Sequence, residues 1–262
     1  MSAAGSDTGS TTPPREYTVC GVPRLRWLVP AEIHEVADDA SDKKEGTFRL
    51  ESDELTVCPL GQRDFWRKTF YSPELIKDDG NALVAYVPLD AGDVTIDVTL
   101  RLRATHQFDQ AGLFIRVDRE RWVKAGFEFV DGRMRLSCVV TNGHSDWSTQ
   151  PWPSQNASAA TEAAVRLRVT RVRGDSIAFE AAPVGDGGDA AAAPEYAMVR
   201  IAHLGTHMPP AASDGAMPLK TPWLVGPFAA SPIQGGGCVA RFADFSVAPA
   251  KRTAHDTDPG HA

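Results

Sequence analysis

The chain has 262 residues, of which 42% are hydrophobic, so it is long and apolar enough for one large all-β domain with a substantial core. Its formal net charge of −7 argues against a nucleic-acid partner, because phosphate binding requires a basic surface. No apolar run approaches the ~20 residues that cross a bilayer, so we expect no membrane partner. The N-terminal sequence lacks the basic and apolar regions of a secretory signal, which favours a cytoplasmic location.

Two stretches at the ends of the chain, residues 1–21 and 249–262, are rich in small and polar residues and are predicted to be disordered tails. They flank one predicted domain at 22–248. Within it, PAEIHEVADD at 30–39 is the best candidate for a short helix. The Gly/Ala-rich stretch at 182–195 and the Pro-rich stretch at 207–222 are predicted to be surface loops.

Alternation of apolar and polar residues with period two predicts β-strands through most of the domain. It is clearest in the segments DVTIDVTLRLRA, LFIRVD, RWVKAGFEFV and RMRLSCVVT. The dipeptides DG at 131–132 and NG at 142–143 predict tight hairpin turns between such strands. Many short strands with almost no helical periodicity predict an all-β sandwich.

The strand RWVKAGFEFV has two faces of different character. If its apolar residues from Val123 to Phe129 point into the core, the alternate residues share the opposite face. An aromatic plane beside carboxylate and amide groups is typical of a sugar-binding surface, and glycines would keep that surface open. A solvated face with cross-strand ion pairs explains the same pattern, and both interpretations remain open here. The residues of this face are Gln110, Gly112, Trp122, Lys124, Gly126 and Glu128.

Two sets of residues raise the question of catalysis. His144, Ser145 and Asp146 are adjacent, but neighbours on an extended chain point in alternate directions, whereas a catalytic triad is assembled from distant positions. We instead expect Ser145 and Asp146 to bond backbone amides in a loop after the NG turn. A retaining glycosidase would need two carboxylates ~5–5.5 Å apart, and Asp97 with Glu128 is the candidate pair. We assign no catalytic residue.

No pattern in the sequence predicts a metal or a cofactor. The four cysteines, at 20, 58, 138 and 238, form no C-x-x-C pair and have no histidine at zinc-site spacing. We therefore expect them to be reduced, small buried residues. The sequences HLGTH at 203–207 and DGGD at 186–189 also lack the context of a metal site.

Five segments in order, DFWRKTFY, DQAGLFIRVD, RWVKAGFEFVDG, VVTNGHSDWS and VGPFAASP, resemble the DUF1349 or regulation of enolase family. The resemblance covers about residues 24–248, and this family lies in the concanavalin A-like lectin/glucanase superfamily. It implies a concanavalin A-like jelly-roll β-sandwich of two antiparallel sheets. The stretches at 184–193 and 207–222 depart from the family pattern. The matching positions are Asp109, Gln110, Gly112, Trp122, Lys124, Gly126, Glu128, Ser145, Asp146 and Trp147.

We therefore expect a non-catalytic, lectin-like protein that binds a carbohydrate-like ligand on a concave sheet face. One alternative is a regulatory or scaffold protein that acts on a metabolic enzyme such as enolase, as the family name implies. Another is an atypical glycoside hydrolase. The expected ligand-binding residues are Asp109, Gln110, Trp122, Lys124, Glu128, Asp146 and Trp147.

Overall fold

A computed structural model of the chain describes residues 15–29, 32–37, 44–87, 91–152, 161–172, 175–184, 194–205 and 223–251. These residues form eighteen β-strands and no α-helix. The first nine strands are β1 (Tyr17–Val19), β2 (Val22–Trp27), β3 (His34–Glu35), β4 (Thr47–Leu50), β5 (Glu54–Cys58), β6 (Phe65–Lys68), β7 (Leu75–Asp78), β8 (Asn81–Val87) and β9 (Val94–Arg103). The others are β10 (Gln110–Arg116), β11 (Arg121–Val130), β12 (Arg133–Asn142), β13 (His144–Pro151), β14 (Glu162–Val172), β15 (Ser176–Pro183), β16 (Ala197–His203), β17 (Trp223–Ala230) and β18 (Val239–Pro249).

Two eight-stranded sheets form the layers of a sandwich. The first sheet has the order β1-β2-β8-β17-β10-β11-β12-β13, and the second has the order β16-β15-β14-β9-β18-β5-β4-β3. Neighbouring strands are antiparallel, except for the short parallel pair β3–β4. The predicted all-β sandwich of two antiparallel sheets is confirmed.

The main core lies between the two sheets and follows the predicted alternation. From β11, Val123, Ala125 and Phe127 point into this core, and Ile96 and Val98 meet them from the second sheet. Asp131 and Gly132, with φ of 51° and 74°, form the predicted turn between β11 and β12. The sequence pattern therefore predicts correctly which residues of the long strands face the partner sheet.

The hairpin β6–β7 forms a separate two-stranded sheet that packs against the outer face of the first sheet. Its Phe65 stacks on Phe114 with ring centroids 4.1 Å apart and also contacts Trp122 and Phe228. Trp122 is only 1% exposed as a result, so the expectation that it lies on an open face is wrong. A second apolar cluster thus covers one end of the face that was predicted to bind ligand.

Polar contacts hold the hairpin in one position on the sheet. Arg116 donates two hydrogen bonds to Asp78, at 2.7 and 3.0 Å, in the bidentate geometry that fixes orientation. From β6, the other strand of the hairpin, the backbone amide of Arg67 donates to Ser145 Oγ at 2.9 Å. Aromatic burial and these bonds together make the hairpin an integral part of the fold.

The glycines of the outer face have a different role from the predicted one. Gly112 and Gly126 are register partners, and a Cβ atom would lie 2.0 Å from the Ala125 oxygen at Gly112 and 2.1 Å from the Ala111 oxygen at Gly126. Because those atoms belong to the neighbouring strand, glycine is required here for close approach of two backbones. It does not serve to leave space for a ligand.

The predicted domain limits and the predicted helix are wrong. At the C-terminal limit, β18 extends to Pro249, which was assigned to the disordered tail. The domain begins before residue 22, because β1 pairs with β2 and its Val19 is fully buried. In the described part of the predicted helix at 30–39, His34–Glu35 forms strand β3 beside β4 instead. The segment 206–222 and the residues before 15 and after 251 lie outside the described residues.

Candidate ligand-binding cleft

A cleft of about 920 Å³ lies beside the hairpin, at the end of the outer face that the apolar cluster leaves uncovered. Its size is within the range of small-molecule sites in proteins, ~300–1,000 Å³. Strands β6, β7, β11, β12 and β13 line it, together with the loops around residues 107–108 and 232–233. The cleft is therefore assembled from segments that are far apart in the chain.

Five aromatic side chains line the cleft in two contacting groups. Trp66, Phe70 and Tyr71 come from the hairpin, and their rings make edge-to-face contacts with centroids 5.5–6.1 Å apart. Phe108 and Trp147 form the other group at 6.3 Å. Phe70 is 92% exposed and Trp147 is 39% exposed, so both groups offer apolar ring surface to a ligand.

The expected residues Gln110 and Lys124 are buried and hold a carboxylate of the hairpin. Lys124 Nζ forms an ion pair with Asp64 Oδ1 at 2.6 Å, and Gln110 Nε2 donates to the same oxygen at 3.2 Å. Lys124 lines the cleft, whereas Gln110 does not. The alternation predicted the face of both residues correctly. Their contacts with Asp64 attach the hairpin to the sheet.

Glu128 is 5% exposed and lines the cleft. Its Oε2 accepts hydrogen bonds from Ser137 Oγ at 2.6 Å and from Trp147 Nε1 at 3.0 Å. Its other oxygen, Oε1, accepts no hydrogen bond from the described residues. Burial raises the pKa of Glu128, and the negative charge of Asp64 acts in the same direction against the opposing effect of Lys124. Glu128 is thus a buried carboxyl group with one oxygen available to a ligand.

Residues 144–146 form the start of edge strand β13 and not a loop. Ser145 is buried and accepts the backbone amide of Arg67, so the predicted backbone bond of Ser145 is confirmed. Asp146 accepts no backbone amide within the described part of the chain. It lines the cleft, and its Oδ2 lies 3.4 Å from a guanidinium nitrogen of Arg200 in β16. His144 is exposed and lies on the opposite side of β13 from Ser145, as alternation along the strand requires, so the two side chains do not form a catalytic pair.

Asp109 is fully buried and does not line the cleft. Its Oδ2 accepts the backbone amides of Thr105 and His106, both at 2.8 Å, which fixes the loop before β10. Asp109 is therefore not positioned to contact a ligand in the cleft, and the expectation that it binds one is wrong. It supports the loop that carries Phe108, which does line the cleft.

The carboxylate pair on which glycoside hydrolysis depended does not form. Asp97 lies on β9 of the second sheet, between the core residues Ile96 and Val98, so its side chain is on the outer face of that sheet. There it bonds Arg168 at 2.7 Å. Glu128 is on the outer face of the first sheet, and packed sheets are ~10 Å apart.

Residues that the sequence reasoning missed include Trp66, Phe70, Tyr71 and Phe108. The three hairpin residues lie in DFWRKTFY, which places four aromatic residues within eight positions beside charged ones. That density in a short polar segment was the available signal, because aromatic residues at the surface often mark binding sites. Among the described residues, no group of three His, Cys, Asp or Glu could hold a metal ion. The described residues also contain no helix long and apolar enough to span a membrane.

The fold and the cleft define a class of β-sandwich protein. A hairpin covers part of the outer face of one sheet, and the uncovered part forms a cleft large enough for a small ligand. Residues 43–250 match the family described as "Protein of unknown function (DUF1349)", and the chain belongs to this family. A Saccharomyces cerevisiae protein described as "Regulation of enolase protein 1" is 30% identical over 217 residues, which are 82% of this chain and 88% of that protein.

Solved structures share the fold. A functionally unknown protein from Saccharomyces cerevisiae superposes with a TM-score of 0.62 at 28% identity, over 87% of this chain and 97% of that one. A bifunctional GH43-CE protein from Bacteroides eggerthii superposes with a TM-score of 0.55 at 14% identity, over 87% of this chain and 24% of that one. At that identity the second likeness shows the fold alone.

Proposed function

We propose that the cleft binds a hydroxylated, carbohydrate-like ligand and that the protein is a non-catalytic binding protein. The observation that carries this proposal is the combination of exposed aromatic rings with the largely buried Glu128, whose Oε1 accepts no hydrogen bond from the described residues. Ring faces such as that of Trp147 cover the C–H groups of a sugar, and Glu128 Oε1 accepts a hydrogen bond from a hydroxyl.

The binding residues of this proposal differ from those expected from the sequence. Glu128, Lys124, Asp146 and Trp147 line the cleft and remain candidates. Trp122, Gln110 and Asp109 support it from buried positions. In this proposal Trp147 and the aromatic residues of the hairpin provide the stacking surface that was expected from Trp122.

A glycan array followed by calorimetric titration of each hit tests the proposal. We expect Trp147→Ala to weaken binding about tenfold, because loss of a stacking contact and of the orientation of Glu128 costs about 1.4 kcal/mol. The matched control is Tyr86→Ala, since Tyr86 is 62% exposed on the same sheet but does not line the cleft. Equal affinity in the Trp147 variant, or no hit on the array, would contradict the proposal.

A second candidate function is regulation of a metabolic enzyme through direct contact. It is favoured by the description of the 30% identical yeast relative, which names enolase, and by Phe70, which protrudes from the rim of the cleft. Biolayer interferometry with purified enolase tests it. A complex that weakens at least tenfold in Phe70→Asp supports this function, and the absence of any complex at micromolar concentration argues against it.

A further inference from the structure

The lysines of the cleft are already engaged by the protein. Lys124 is neutralised by Asp64, with 2.6 Å between Nζ and Oδ1. Lys77 Nζ donates to the backbone oxygen of Gln62 at 3.0 Å. Against these two cations the cleft has three further carboxylates, and Arg200 pairs with one of them, Asp146, so the charge remains negative overall. The three are Glu128, Asp131 and Asp146.

Among the described residues no cation forms an ion pair with Glu128, although the positive charge of nearby Lys124 acts on it. Arg135 is its register partner on β12, but the Nε atom of Arg135 donates to Thr149 Oγ1 at 2.8 Å. The two donors that reach Glu128, Ser137 Oγ and Trp147 Nε1, are neutral and both bind Oε2. The carboxyl group is more than nine-tenths buried, and its Oε1 accepts nothing from the described residues.

We propose that the ligand carries a protonated amine on its hydroxylated ring, and that this amine binds Glu128 Oε1 while the ring contacts Trp147. This inference rests on the proposed function and specifies the ligand class, an amino sugar. Charge-assisted hydrogen bonds are about twice as strong as neutral ones, and a desolvated carboxylate gains most from them. An ammonium group beside the rings of Trp147 and Phe108 also gains a cation–π attraction.

The same charges disfavour acidic sugars. A uronate or a phosphorylated sugar would place its negative charge near Glu128, Asp131 and Asp146. Like charges held at short distance in a partly desolvated site repel, and such repulsion is a common source of ligand specificity. We therefore expect the order of affinity to be aminated, then neutral, then acidic.

Isothermal titration with three β-1,4-linked disaccharides tests the inference. The ligands are the glucosamine dimer, cellobiose and N,N′-diacetylchitobiose, which share a ring scaffold and differ in the group at position 2. At about pH 6, below the range in which amines titrate, the glucosamine dimer is charged. We expect it to bind about tenfold more tightly than either neutral ligand, and this preference to fall as salt screens the charges.

The variant Glu128→Gln tests whether the preference for the aminated disaccharide depends on this side chain. Gln keeps an acceptor oxygen for Ser137 and Trp147 but removes the charge. We expect the ratio of the affinities for the glucosamine dimer and cellobiose to fall from about ten to about one. The matched control Glu51→Gln removes an exposed carboxylate between β4 and β5 and should leave the ratio unchanged.

The outcomes separate this inference from the proposed function. Equal binding of the glucosamine dimer and cellobiose, or a preference that persists in Glu128→Gln, overturns the inference and leaves sugar binding intact. Tighter binding of a galacturonate dimer than of cellobiose overturns it as well. If other glycans bind the cleft but none of these disaccharides does, the amine assignment fails. If no glycan binds at all, the proposed function fails.

Discussion

The two ends of the outer face of β11 are alike in the sequence pattern, but their surroundings differ in the structure. At one end Trp122 lies in a buried aromatic cluster beneath the hairpin β6–β7. At the other end Glu128 lies in a polar network that opens to the cleft. The two residues are six positions apart and point to the same side of the sheet. Alternation therefore identifies which residues share a face but not what covers that face.

The greatest loss of stability is expected at the buried end, where Trp122 lies. Trp122→Ala should lower the free energy of unfolding by ~3–5 kcal/mol, as large-to-small changes of buried aromatic residues do. Phe127→Ala, on the core face of the same strand, should cost a similar amount, because both side chains are 1% exposed. Urea denaturation of both variants measures this. A Trp122 variant with less than about one third of the Phe127 loss would show that the hairpin does not cover this end.

A smaller effect concerns the ion pair between the two ends. Lys124→Met should lower stability by about 3 kcal/mol, because it leaves the carboxylate of Asp64 at a partly buried position without its cation. The double variant Lys124→Met with Asp64→Leu should recover much of that loss, since it removes both charges. Chemical denaturation of both single variants and of the double variant gives the interaction free energy between Lys124 and Asp64. Additive losses would mean that the pair contributes nothing to attachment of the hairpin.

The smallest effect concerns the polar end and depends on pH. The pKa of Glu128 is raised by burial and by Asp64, against Lys124 and the hydrogen bonds from Ser137 and Trp147. A raised folded-state pKa gives stability that is present below the unfolded value of about 4.3 and is lost as pH rises through the folded value. Glu128→Gln removes this dependence, so it should gain stability over the wild type at pH 7 and not at pH 4. Thermal melts across that range test the sign, and a variant that is less stable at pH 7 would contradict it.

The fold was predictable because its main signal is local. The alternation from Val123 to Phe127 reports directly which side of β11 meets the other sheet, and the turn at Asp131 and Gly132 requires positive φ values that the DG dipeptide favours. The short strand β1 was missed, because three residues within a polar tail carry too little periodicity. The predicted helix at 30–39 failed because pairing with β4 outweighed a weak local preference.

The cleft was only partly predictable, because seven of its nineteen lining residues come from a distant segment, the hairpin β6–β7 and its flanks. Lys124, Glu128, Asp146 and Trp147 were expected from β11 and β13, and all four line the cleft. The hairpin that completes it was not expected, since nothing in its own alternation indicates where it packs. Its contacts with the sheet join residues far apart in sequence, such as Asp64 with Lys124, which are 60 positions apart.

Hydrophobic period and turn chemistry act between near neighbours in the chain, so the amino-acid sequence alone specifies the β-sandwich and the two faces of each long strand. The burial of Trp122 and the place of Glu128 in the cleft are set by packing between distant segments. Their environments depend on Phe65 and Asp64, two adjacent residues at the start of the hairpin. Phe65 brings an apolar surface to one end of the face, and Asp64 brings a charge to the other.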